Sequence, residues 1–231
     1  MTSFLVRPYL GKSAQERIKE RRRRLLDTAF QLMASDGWRQ VTIDNLCRRA
    51  KLNKRYFYES FEDLDELAAA VVDELANELV DVSFTVARAA RKAGLSTDDL
   101  ARRAIDVVVG YVTDDPRRAR VLFTEIAESP RTVAHRKATI LGLARALSEY
   151  GYEHHNAGTA DPIAELASAL LVGGTIESIL AWLDGNIAMS RDQFIDDLAA
   201  LWVFAGDGAA ARARARQNNA SRAGQDKSPA R

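Results

Sequence analysis

Apolar residues recur at three- and four-residue spacing along almost the whole chain, and strict alternation is nowhere sustained, so the pattern is helical throughout. The first helical stretch runs from about Gln15 to Ser35, with Ile18, Leu25, Leu26, Ala29, Phe30, Leu32 and Met33 on one face. Asp36-Gly37 predicts its end, glycine being the usual left-handed stop. Thr42 then predicts the cap of a short helix bearing Ile43, Leu46 and Cys47. Asn53 predicts the cap of a second, in which Phe57 and Phe61 form an i,i+4 pair. A long amphipathic helix follows over 63–92, with Leu64, Leu67, Val71, Leu75, Leu79, Val82 and Val86 on its stripe and Gly94 at its end. Ser96 opens the next, and Asp115-Pro116, Ser129-Pro130 and Asp161-Pro162 open three more. A capping residue before proline makes a firm boundary, because the first helical position needs no amide donor. The helix opened at Ser129 is expected to stop at Tyr150, before Gly151, and the one opened at Asp161 to reach Leu183. Ser190 with Gln193 opens the last helix, which is expected to end near Phe204. The fold class is therefore all-α, with about nine helices and no strand.

Composition agrees with helix: of 231 residues 38 are alanine and only 5 proline, and a hydrophobic share of 47% excludes wholesale disorder. The formal net charge of +1 at first argues against a nucleic-acid partner. Divided along the chain it argues the other way. Residues 1–61 hold 14 Lys+Arg against 6 Asp+Glu (+8), residues 62–207 hold 13 against 25 (−12), and residues 208–231 hold 6 against 1 (+5). A basic N-terminal module joined to an acidic body is the expected layout of a small DNA-binding domain with a separate second domain. The organisation predicted is an irregular arm over 1–14, a DNA-binding domain over 15–62, a helical regulatory and dimerisation domain over 63–206, and a disordered basic tail over 207–231.

Other chemistries find little material. Cys47 is the only cysteine and lies on an apolar stripe, where it reads as a small packed hydrophobe. The histidines number three, and Glu153-His154-His155 is expected in a glycine-bounded loop with the two imidazoles pointing apart. No G-x-G-x-x-G, P-loop, HExxH or G-x-S-x-G string occurs. No cofactor, metal or enzymatic activity is expected. Met1 to Gly11 lacks a signal-peptide layout, and no uninterrupted apolar run approaches the ~20 residues of a membrane span. A cytoplasmic protein without a membrane partner is expected.

The two short helices over residues 42–61 have the helix-turn-helix plan. In the second of them Phe57 and Phe61 point inward. Lys54, Arg55 and Tyr56 occupy the first turn, from which a groove-inserted helix reaches base edges. Arg55 suits guanine O6 and N7, and Tyr56 a thymine methyl. Tyr58 and Ser60, on the flanks, suit phosphate oxygens, as does Thr42 at a helix N-terminus, while Asn53 caps the reading helix itself.

The stretch from Leu25 to Leu67, LLDTAFQLMASDGWRQVTIDNLCRRAKLNKRYFYESFEDLDEL, resembles the N-terminal domain of the TetR family of transcriptional regulators. The features carrying the resemblance are the first helix ending at Gly37, Thr42-Ile43 before Leu46-Cys47, and Tyr58 with Phe61 closing the recognition helix. The resemblance implies a homodimer that binds a palindromic operator on double-stranded DNA. It further implies a repressor released by a small-molecule inducer in the C-terminal domain. Two positions depart from the family pattern. Lys51 stands at a turn position that is most often glycine, and Leu64 where a phosphate-touching lysine often starts the fourth helix. Arg17, Lys19 and Arg21 to Arg24 are expected to make up that contact.

In the body, the helices over 161–183 and 190–204 are expected to form the dimer interface, with Leu170, Gly173, Gly174, Leu198 and Trp202 as its residues. An ordinary buried core helix is the competing reading of 161–183. Tyr111, Phe123, Thr175 and Trp182 are the candidate pocket residues, and an apolar ligand is expected. Two rival functions share this sequence: a DNA-binding regulator without an inducer, and a helical ligand-binding protein or enzyme with a vestigial DNA-binding module.

Overall fold

The computed structural model describes residues 13–35, 38–123, 130–155 and 161–225. Nine α-helices and one 3₁₀ turn (Trp38–Gln40) account for most of these residues, and none of them is in a strand. The helices are α1 (Ala14–Met33), α2 (Ile43–Ala50), α3 (Lys54–Tyr58), α4 (Leu64–Lys92), α5 (Thr97–Asp114), α6 (Pro116–Phe123), α7 (Pro130–His155), α8 (Pro162–Leu183) and α9 (Arg191–Gln225). Two compact units divide at Val71 and Val72. That division falls two turns inside α4, not at residue 62, because Leu67, Ala68 and Val71 are buried hydrophobics of the first unit.

The capping chemistry seen in the sequence is present as hydrogen bonds. Ser13 and Glu16 form a reciprocal box at α1 (3.1 and 2.6 Å). Thr42 accepts from the Asn45 amide, Asn53 from Tyr56, Ser96 from Asp99 and Ser190 from Gln193, so each orphan first-turn donor named is satisfied. Asp36-Gly37 and Ser129 lie outside the described residues.

In the first unit, α1, α2 and α3 close around Leu25, Ala29, Met33, Leu46 and Phe57, all but inaccessible to solvent. In the second unit α5 packs against α9, α7 against α8, and α8 against α9. Ile105, Val109, Val112, Ile179 and Ile195 fill its centre. Arg102 with Asp196 and Arg191 with Asp106 (2.7 Å) tie α5 to α9 across the surface.

Two expectations change at helix ends. The seventh helix continues through Gly151 to His155, so Glu153-His154-His155 is helical backbone and not a loop. One interior glycine costs only about 1 kcal/mol and need not stop a helix. The ninth runs 35 residues to Gln225 instead of ending near Phe204, so the tail expected to be disordered is helical for most of its length. The eighth is, by length and composition, long and apolar enough to cross a bilayer, although Glu165 and Glu177 interrupt its apolar run.

Candidate nucleic-acid interface and internal cavity

Three residues of chain join α2 to α3, and Lys51 makes the turn with φ 54° and ψ 43°, the left-handed region. Its amide donates to the Arg48 carbonyl (3.2 Å) and the Leu52 amide to Cys47 (2.9 Å), which satisfies the carbonyls at the end of α2. The five residues of α3 divide sharply. Phe57 is wholly buried and meets the Phe61 ring at 6.0 Å between centroids, fixing the helix to the core. Arg55 stands 84% exposed at the side chain, bound to Glu59 at 3.3 Å, and Tyr58 is 59% exposed with its ring edge-on to Phe57. Lys54, also exposed, reaches back to Asp44 on α2 (2.8 Å), and that hydrogen bond holds its ammonium pKa above the usual lysine value.

Not every expected contact residue faces outward equally. Tyr56 is half-buried, with the Arg21 guanidinium 4.2 Å above its ring, and Ser60 is half-buried, its carbonyl accepting from Arg22 (3.0 Å). Asn53 and Thr42 are exposed but already engaged as caps. Arg21 also binds Glu59 (3.3 Å), and Arg22 lies 4.2 Å over the Phe61 ring. These two arginines therefore buttress α3 from α1, a role the four-arginine run did not suggest. The signal was available: positions 21 and 22 continue the Ile18–Leu25 stripe at three- and four-residue spacing. Arg23 pairs with Asp27 (2.9 Å) on its own helix. Cys47 is buried, and burial together with the nearby Asp44 charge pushes its thiol pKa up, which suits packing and not reactivity.

Residues 25–71 match the family model described as bacterial regulatory proteins, tetR family. Over that stretch the chain carries a TetR-family DNA-binding domain. A DNA-binding helix-turn-helix is thus the business of the first unit. Solved structures similar to the chain extend over both units. The fatty acid degradation regulator FadR from Bacillus halodurans is 15% identical, with a TM-score of 0.64 over 83% of this chain and 96% of that one. A TetR-family transcriptional regulator from Syntrophomonas wolfei is 12% identical, with a TM-score of 0.66 over 81% and 95%. FadR from Bacillus subtilis in complex with stearoyl-CoA is 16% identical, with a TM-score of 0.62 over 78% and 97%. At such identities the likeness is one of fold.

The second unit holds a cavity of about 330 Å³ between α4, α5, α6, α7, α8 and α9. Phe123 and Thr175, both expected in a pocket, line it. Tyr111 and Trp182, expected with them, do not. The Tyr111 hydroxyl donates to Glu78 (2.8 Å) with the Leu75 carbonyl at 3.2 Å, and Arg118 covers the ring; burial, then the Glu78 bond, raise the phenol pKa. Trp182 stacks on Phe194 (4.9 Å, 13°) and donates to the Met189 carbonyl, so it pins the α8–α9 turn. Trp202, expected at a subunit interface, instead lines the cavity and donates to the Thr175 hydroxyl (2.8 Å).

Leu198 likewise turns inward and is buried within its own unit. Leu170, by contrast, is 68% exposed, and Leu166, Leu201 and Phe204 are 64%, 61% and 77% exposed. Beyond its own helix backbone, a Cβ placed on Gly173 or Gly174 would meet no atom within 4 Å. The eighth helix is therefore no ordinary core helix: among the described residues its apolar outer side is left largely open. Among the described residues no group of three His, Cys, Asp or Glu is placed to hold a metal.

Proposed function

We propose that this TetR-family regulator is a homodimeric repressor that reads a palindromic operator and is released by an apolar ligand bound in the cavity of the second unit. The observation carrying the DNA-reading part is the division of α3: Phe57 anchors it while Arg55 and Tyr58 stand out in solvent beside Lys54. Arg55 would leave Glu59 for a guanine edge, a bidentate contact worth roughly 1–3 kcal/mol of discrimination. Tyr58, Ser60 and Thr42 would engage phosphate oxygens, Lys54 would exchange Asp44 for the DNA backbone, and Tyr56 would offer its uncovered edge to a base methyl. Asn53 holds the first turn in place for all of them. The protein would act in the cytoplasm, on chromosomal DNA, without catalysing a reaction.

The open apolar side of α8 and α9, at Leu166, Leu170, Leu201 and Phe204, supports pairing with a second copy, since large exposed hydrophobics grouped on one face favour association. Gly173 and Gly174, for which the protomer supplies no packing reason, would let the partner's backbone approach closely. The cavity supports the ligand, and the Bacillus subtilis neighbour, whose structure holds stearoyl-CoA, shows a ligand in a protein of this fold.

Selection of bound sequences from random duplexes by the full chain tests the reading. A palindrome is expected. Replacing Arg55, Tyr56 and Tyr58 together by alanine is expected to abolish the preference while leaving the fold intact by circular dichroism. Tight, sequence-specific binding by that variant, or no preferred sequence with the native chain, would overturn it.

A further inference from the structure

The cavity walls carry an asymmetry that points to a ligand class. Three of the hydroxyls on them are satisfied at home: Ser83 donates to the Leu79 carbonyl, Thr139 to His135, and Thr175 accepts from Trp202. Ser148, toward the C-terminal end of the α7 wall, differs. It is 5% exposed, and its Oγ is a buried side-chain polar atom with no hydrogen-bond partner. A serine in a helix can bond back to the carbonyl four residues before it, as Ser83 does here. Ser148 forgoes that bond, so a hydroxyl that folding has removed from water is left for something in the cavity to satisfy.

Charge on the walls limits what that something is. Among the described lining residues there is no Lys, Arg or His, and Asp207 is the only ionisable group. A carboxylate or the phosphates of a coenzyme A thioester would find no cation there and one carboxylate of like sign. Asp207 is itself exposed, so it stays solvated and offers no buried partner to an amine. Size gives a scale for the part held inside. A dry cavity of about 150 Å³ holds benzene, and 330 Å³ is a little over twice that, room for roughly twelve non-hydrogen atoms.

We infer that the ligand is a neutral amphiphile of about this size, an aliphatic body carrying one uncharged hydroxyl or carbonyl that hydrogen-bonds Ser148. The inference rests on the cavity being the ligand site, and it names the chemistry of what enters. The Ser148 hydroxyl both donates and accepts, so it matches an alcohol, a ketone or an ester.

The test measures binding of small probes to the full chain by titration calorimetry, without DNA. 1-Decanol is expected to bind more tightly than decanoate, decylamine or decanoyl-CoA. Ser148→Ala is expected to weaken 1-decanol about tenfold, the worth of one lost hydrogen bond, and to leave butylbenzene, which has no polar group, unchanged. Ala210→Trp, which fills the cavity from α9, should abolish both. Tighter binding of any charged probe, or undiminished 1-decanol affinity in Ser148→Ala, would overturn the inference while leaving the cavity a ligand site. Failure of every probe to bind would overturn both, and the operator selection would stand apart from that result.

Discussion

Three helices end with one hydrogen-bond pattern, and one of them uses the wrong residue for it. At the end of α4 the Gly94 amide donates to Arg91 and that of Leu95 to Ala90; at the end of α8 Gly185 donates to Trp182 and Asn186 to Ala181. Both glycines have positive φ, 73° and 75°. The same two bonds close α2, but there Lys51 takes the left-handed position, at a cost of roughly 1–2 kcal/mol for a side chain with a Cβ. Lys51→Gly is therefore expected to stabilise the first unit by about 1 kcal/mol, the greater freedom of glycine in the unfolded chain offsetting part of the relief. Urea unfolding of the two proteins checks it, and an unchanged or lower midpoint would show that Lys51 is not strained. The identity of the turn residue was legible in the sequence; that it is held at positive φ required the tertiary turn. Arg21 and Arg22 make the same point from the other side. They are expected against the DNA backbone, whereas an aromatic ring under each guanidinium makes them part of how α3 is held.

At the scale of elements, α9 shows why composition misjudged the tail. The segment AAARARARQNN is poor in bulky apolar residues, which suggested disorder, yet alanine and arginine are among the best helix formers. Small residues also suit a wall that must come close to its neighbours: Gly206, Asp207, Ala209, Ala210 and Ala213 all line the cavity, and Ala213 is buried. Arg216 then reaches Asp161, the residue capping α8, at 2.8 Å. Deleting residues 207–231 is expected to lower the thermal midpoint by roughly 5 °C, the loss of about 2 kcal/mol in a chain of this size, and to raise binding of an apolar fluorescent dye. A midpoint that does not move would mean this extension is not a working wall. The eighth helix illustrates the converse. Its apolar residues were legible, but apolar residues all round a helix fit a core, a membrane span or an interface equally well. Only the packing shows that Leu166 and Leu170 stay mostly exposed.

At the scale of the whole molecule, the net charge of +1 conceals opposite signs on different stretches of chain: positive through the helix-turn-helix and negative through the body. That distribution favours DNA at the N-terminal unit and disfavours it at the acidic one. The proposed dimer belongs to this scale too, because a palindrome is matched by two copies of one reading helix. Leu170→Glu with Phe204→Glu places two charges on the open apolar side without touching either core. This double variant is expected to sediment as a monomer, keep its helical content, and lose operator affinity by at least tenfold. A variant that remains dimeric would move the interface elsewhere.

Local chemistry determined much of this protein. Capping residues, proline at first helical positions and apolar spacing are interactions among near neighbours, so the helix starts, the all-α class and the helix-turn-helix of residues 42–61 were readable from order alone. Tertiary structure decided the rest, because it depends on which faces meet. Trp202 and Trp182 are equally aromatic and equally helical, and only packing sends one into the cavity and the other against Phe194. Ser148 looks like any serine in a helix until packing buries it at the cavity wall with its hydroxyl lacking a partner.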